Sequence, residues 1–331
     1  MRPRPSYIPC TARVFVNTPA HPARLQPGGV FIVALLLGGC ATLDVDRIAE
    51  RTSDLPRAVE QREVPFYPQT AFQCGPAALA TTLNWSGVSV APEALTNQVY
   101  LPAREGSLQA ELLGATRRNG RVPYVLEPRL DALLRELAAG RPVIVLQNLA
   151  FAWYPKWHYA VAIGYDLDRD EIVLRSGVTH RHTLALTTFE RTWRRGDRWA
   201  LVTLVPGELP ATVNELPYLE SVVAFERLGD HAASQRAYRA ATERWPASVG
   251  AWLGLGNSLY ATGNVAEAAT AFRELTTRQP EAAVGYNNLA LALADLGRLD
   301  EAAAMAQRAV ELGGPWRAEY ERTLAEIRRR R

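Results

Sequence analysis

Cys74 is the residue of this chain best placed to do covalent chemistry. It stands at the head of Cys74-Gly75-Pro76-Ala77-Ala78-Leu79, an alanine-rich run that should open a helix, and Pro76 is tolerated in a first helical turn. Unpaired N–H groups and the positive end of the helix dipole favour thiolate, which is the nucleophile. Most lone cysteines are buried and inert, so the surroundings must decide. A thiol nucleophile needs a base for its proton and a donor for the developing oxyanion. Of the five histidines, His21 precedes the folded part, His231 lies in an alanine-rich helical region, and His180 and His182 sit in an Arg-rich turn that reads as solvated. His158 is the remaining one. It begins an apolar strand after a loop containing Phe151, Trp153, Tyr154 and Trp157, which suits a general base held by a rigid element. We expect that aromatic loop, through Trp153 and Trp157, to wall a substrate groove.

The elements that must hold these residues are legible in outline. Helices are expected at Cys74–Trp85, Pro92–Val99, Ser107–Asn119 and Leu130–Ala139, with stops at Gly87, Gly120 and Gly140. Strands are expected at Pro142–Leu146, His158–Tyr165, Glu171–Arg175, His182–Leu186 and Trp199–Val205. Helices first and strands afterwards imply an α+β domain over residues 64–206. From Glu215 the chain repeats itself: Tyr218, Trp252 and Tyr286 are 34 residues apart, and Tyr238, Phe272 and Ala306 keep the same register, as do Pro246, Pro280 and Gly314. Period and pattern match the tetratricopeptide repeat. Three repeats over 215–314 and a polar capping helix within 315–331 make an all-α solenoid.

The other cysteines lie before the folded part. Val30–Gly39 is an apolar run too short to span a bilayer, preceded by Arg24, and reads as an export signal. Leu37-Gly38-Gly39-Cys40 resembles the lipobox of bacterial lipoproteins. The resemblance implies that residues 1–39 are removed, that Cys40 is lipidated, and that Ala41 directs the protein to the outer membrane, facing the periplasm. Residues 40–63 would then be a tether. The mature chain would keep Cys74 as its only free thiol in an oxidising compartment, where an unused thiol is a liability.

Composition excludes several functions. The formal charge is +3, and the four arginines and no acid of residues 1–39 take the mature chain close to neutrality, so there is no electrostatic footprint for nucleic acid. No metal-ligand spacing, phosphate-binding glycine loop or nucleotide motif is present, so no cofactor is expected.

Val64-Pro65-Phe66-Tyr67-Pro68-Gln69, Cys74-Gly75-Pro76-Ala77-Ala78-Leu79 and His158-Tyr159-Ala160-Val161-Ala162-Ile163-Gly164-Tyr165 together resemble the papain-like cysteine peptidases that cleave double-glycine leaders from bacteriocins. The stand-alone, bacteriocin-processing-like domains of bacteria are the nearer resemblance. It implies a papain-like fold, Cys74 as nucleophile, His158 as base, and the Gln69 side chain with the Cys74 N–H as oxyanion hole. Gln73 also adjoins the nucleophile. The family orients its histidine with Asp or Asn at the end of the next strand, where this chain has Arg175-Ser176-Gly177. Ser176 could serve instead, with Asp166 as a fallback. The expectation is a lipid-anchored envelope cysteine peptidase whose repeats recruit a protein. Two other readings stay open: a catalytically inactive adaptor holding peptides in an envelope or secretion complex, and Cys-His chemistry on another amide or transglutaminase-type bond.

Overall fold

The computed structural model describes residues 50–68 and 73–331. Cys40, Gln69 and the export signal lie outside the described residues.

The N-terminal domain is a seven-stranded, wholly antiparallel sheet between two helical layers. Its chain order is β1 (Ala58–Glu60), α1 (Cys74–Trp85), α2 (Pro92–Val99), β2 (Tyr100–Leu101), β3 (Gly106–Ser107), α3 (Gln109–Arg118), β4 (Val122–Val125), α4 (Leu130–Ala138), β5 (Val143–Asn148), β6 (Trp157–Asp166), β7 (Glu171–Ser176), β8 (Thr179–Ala185), α5 (Leu186–Arg194) and β9 (Ala200–Leu204). The sheet order is β4-β9-β5-β6-β7-β8, with β1 on the far end of β6, while β2 and β3 form a separate hairpin.

Strand alternation divides the core in two. Ile144, Leu146, Tyr159, Val161 and Ile163 face the layer containing α1, where Leu79 and Leu83 are fully buried. Val143, Val145, Ala160 and Ala162 face the other layer, with Leu133 and Leu137 of α4 and Phe189 and Trp193 of α5. Nine consecutive residues of α1, from Gly75 to Leu83, are buried. Only a run of small side chains lets a helix lie so deeply on a sheet, and that placement sets Cys74 against Tyr159, near the start of the central strand β6.

Two expectations need correction. Residues 50–63 are not a tether. β1 pairs with β6 in the register Ala58↔Asp166, and Arg135 holds both carboxylate oxygens of Asp54 at 2.7 and 2.8 Å. The strand expected from His182 begins at Thr179, and Leu186 opens α5. β4 was not anticipated, because Pro123 interrupts it; the proline is tolerated because β4 is the sheet's edge.

The helices after the sheet are α6 (Glu215–Glu226), α7 (His231–Arg244), α8 (Val249–Ala261), α9 (Val265–Arg278), α10 (Ala283–Asp295), α11 (Leu299–Leu312) and the final α12 (Arg317–Arg330). Asp230 and Ser248 cap α7 and α8 by accepting the Ala233 and Ala251 N–H groups. Ala268 and Ala302 are fully buried where paired helices meet; Ser234 takes the same place in the first repeat and bonds back to the Asp230 carbonyl. Tyr218 and Val222 of α6 join Val122, Tyr124 and Leu204 in one core, so the repeats are continuous with the sheet domain. Buried Glu136 pins the connecting segment by accepting the Ala211 N–H at 2.6 Å and pairing with Arg141.

The tightest point of the repeats is Gly256, where a β-carbon would run into the ring of buried Phe272. Gly256→Ala is expected to destabilise the protein by about 1–3 kcal/mol through overpacking. Urea unfolding with an unchanged m-value checks this, and an unaltered midpoint would contradict the packing.

Candidate functional site

Cys74 and His158 open on one cavity of about 1060 Å³, lined also by Ser107, Leu108, Leu146, Tyr154, Trp157, Tyr159 and Gly177. Cys74 is the first residue of α1 and is half-buried. Gln73 makes no side-chain cap at this helix start. The N–H groups of Tyr159, Gly75 and Cys74 itself favour the thiolate, but burial outweighs them and pushes the thiol above its ordinary value. The expected low-pKa thiol is thus not what the resting site holds.

His158 is the second residue of β6, paired with Gln147 of β5. Its Nε2 lies 2.9 Å from Ser176 Oγ. The tautomer in which Nε2–H donates to that oxygen leaves the Nδ1 lone pair to accept a proton. Ser176 reaches the imidazole because Arg175 pairs with Val161, which sets Ser176 opposite Ala160, on the face of the sheet that carries His158. Arg175, on the opposite face, turns inward and is 2% exposed; it donates to the carbonyls of Arg62, Val64 and His180. It therefore ties the site strand to the chain segment that leads toward the nucleophile. Sequence reasoning missed this buried arginine because its partners are main-chain carbonyls remote in sequence.

Burial lowers the His158 pKa to about 4, with Lys156 and His182 adding like charge. His182 was expected to be solvated but is half-buried on β8, opposite Leu174. His180 is exposed, as expected, and stands edge-on to Phe66 and within 3.2 Å of Arg175 Nη1. The resting pair is therefore neutral thiol and neutral imidazole. A carboxylate in place of Ser176 would hold the imidazolium; a hydroxyl dipole does so far more weakly.

The native imidazole resists protonation down to about pH 4, whereas an unfolded histidine takes a proton near 6.5. Stability from this group is complete above pH 6.5 and is lost as pH falls toward 4, by roughly 3 kcal/mol. Unfolding free energies at the two ends of that window should differ less in His158→Gln. An identical difference in the variant would contradict the burial of this group.

Asp166 does not serve the site. It is at the other end of β6, eight residues from His158 and so about 26 Å away. Its Oδ1 accepts the N–H groups of Asp168 and Arg169. Trp157 and Tyr154 line the cavity as expected, but Trp153 does not: it stacks on Phe151, 5.6 Å between centroids, and is 80% exposed. Asn148 shapes that loop, its Oδ1 accepting the N–H groups of Ala150 and Lys156. No group of three or more metal-ligating residues occurs among the described residues.

Residues 61–200 match the Peptidase_C39 like family. Residues 219–283 and 256–315 match the tetratricopeptide repeat. The chain thus has a sheet-containing domain that matches C39-like peptidases, followed by a run of helices that match tetratricopeptide repeats. Among solved structures, a protein described as a C39-like peptidase from Bacillus anthracis is 16% identical, covering 45% of this chain and 98% of that one with a TM-score of 0.39. The type III secretion chaperone SycD of Yersinia enterocolitica, in complex with a peptide of the translocator YopD, is 17% identical, covering 34% of this chain and 91% of that one with a TM-score of 0.32. A comparison with curated proteins found no match.

Proposed function

We propose that this protein is a cysteine peptidase that hydrolyses peptide bonds through Cys74 and His158, with its repeats recruiting a protein substrate or partner. One observation carries the reading: an imidazole oriented by Ser176 opens on the same cavity as a thiol at a helix N-terminus. The Cys74 sulfur attacks the peptide carbonyl carbon as its proton passes to His158. The C=O electron pair moves to oxygen, where the Gln69 side chain and the Cys74 N–H hold it. Collapse expels the amine, which takes the proton from the imidazolium, and water then releases the acyl group from sulfur. Trp157 and Tyr154 form one wall of the groove for an extended segment of the double-glycine-leader type.

The envelope location rests on the Leu37-Gly38-Gly39-Cys40 motif alone, with lipid on Cys40 and the protein facing the periplasm. Among the described residues no helix is long and apolar enough to cross a membrane. The tetratricopeptide match supports a protein partner, since such stacks present extended concave surfaces. A second reading is an inactive adaptor, favoured by the hydroxyl at position 176 and the neutral resting pair.

To separate the two readings, the full chain is incubated with a proteome-derived peptide library and new N-termini are read by mass spectrometry. New termini that vanish in Cys74→Ala are expected. A library left intact by the wild type would favour the adaptor.

A further inference from the structure

Ser107 Oγ is buried and has no hydrogen-bond partner. Burying a hydroxyl unpaired is unfavourable, and native folds rarely do it without a reason. This one belongs to a residue that lines the cavity shared by Cys74 and His158. Its position is fixed from two sides. Ser107 pairs with Tyr100 in the β2–β3 hairpin, and its carbonyl accepts the Tyr159 hydroxyl at 3.2 Å. The hydroxyl also packs directly on the residue after the nucleophile: a β-carbon on Gly75 would collide with Ser107 Oγ and Cβ. Gly75 therefore lets the Ser107 side chain pack against the first turn of α1, next in sequence to Cys74.

We propose that the Ser107 hydroxyl donates a hydrogen bond to the oxygen of the carbonyl that Cys74 attacks, making it an oxyanion donor supplied by β3 in addition to those of the segment that ends in the nucleophile. This rests on the reading of Cys74 as nucleophile. The hydroxyl is buried at rest, but a donor that no other group holds is free to turn about the Cα–Cβ bond toward the developing charge, and in a partly closed cavity such a bond is worth more in the transition state than in the ground state. The hydroxyl need not break a bond within the protein to make it.

Two reactions of the same sulfur isolate the effect. With p-nitrophenyl acetate, the sulfur bonds to the carbonyl carbon as its proton goes to His158. The C=O pair becomes an oxyanion, and collapse breaks the ester C–O bond and releases p-nitrophenolate. With iodoacetamide, the sulfur displaces iodide from a saturated carbon and no oxyanion forms. The full chain is treated with each probe, and adducts on Cys74 are followed by mass spectrometry alongside the p-nitrophenolate burst.

Ser107→Ala is expected to slow acylation at least about tenfold, with alkylation under alkaline conditions and the thermal midpoint unchanged. Ser107→Gly, which removes the same hydroxyl without a methyl beside Gly75, should repeat the pattern. Acylation as fast as in the wild type would overturn the proposal, as would an equal fall in both reactions, which would mark a structural role. In both cases Cys74 would stand as the nucleophile. A wild type that is never acylated on Cys74 would overturn both readings.

Discussion

His158→Ala is expected to lower acyl transfer at Cys74 on the order of 10²–10⁴-fold at neutral pH, the usual contribution of a positioned general base. Burial holds the thiol above its ordinary pKa, so little thiolate exists at neutral pH and the proton must leave as the S–C bond forms. His158 is unprotonated above about pH 4 and is held by Ser176 at 2.9 Å, so it can take that proton. Cys74→Ala should remove acylation entirely. The rate of p-nitrophenolate release in the two variants measures both effects. A His158→Ala rate equal to the wild type would mean that the imidazole does not act on the thiol.

The second large effect concerns the residue that orients the base. Ser176→Ala should slow acylation about 10–100-fold, the range for outer partners that orient an imidazole. Ser176→Asp should act in the opposite sense on the ionisation of His158. A carboxylate within hydrogen-bond reach of Nε2 favours imidazolium, and an adjacent opposite charge moves a pKa by about 1–3 units. The acid limb of the rate profile then shifts upward from pH 4. Lys156 and His182 oppose the shift, as they do in the wild type. The profile of Ser176→Asp checks this: a limb left at pH 4 would show that position 176 does not govern His158.

Much of this site is visible in the chain because the chemistry demands particular residues on regular elements. Cys74 opens a helix whose small residues announce deep burial, and His158 lies on a strand whose alternation Tyr159-Ala160-Val161-Ala162-Ile163 is plain. The 34-residue period made the repeats legible for the same reason, since each unit buries the same register of side chains. What escaped notice depends on residues distant in sequence. β1 is only three residues long and carries no period of its own, and β6 alone makes it a strand. α5 follows β8 without a turn signal. The direction of the Cys74 shift could not be read from a helix start, because the dipole is local and burial is not. Arg175, His182 and Ser107 matter through the β7–β8 register and the β2–β3 hairpin, neither of which any motif encodes.

The measurement that bears most directly on the central claim is the pH profile of Cys74 acylation by p-nitrophenyl acetate, in the wild type and in His158→Ala. The account predicts a wild-type rate that rises through about pH 4, as His158 loses its proton, and stays level through neutrality. In the variant that plateau should vanish, leaving acylation that grows only as the buried thiol ionises in alkaline solution. A wild-type profile that follows thiol ionisation alone, and is the same in His158→Ala, would contradict the pairing of Cys74 with His158.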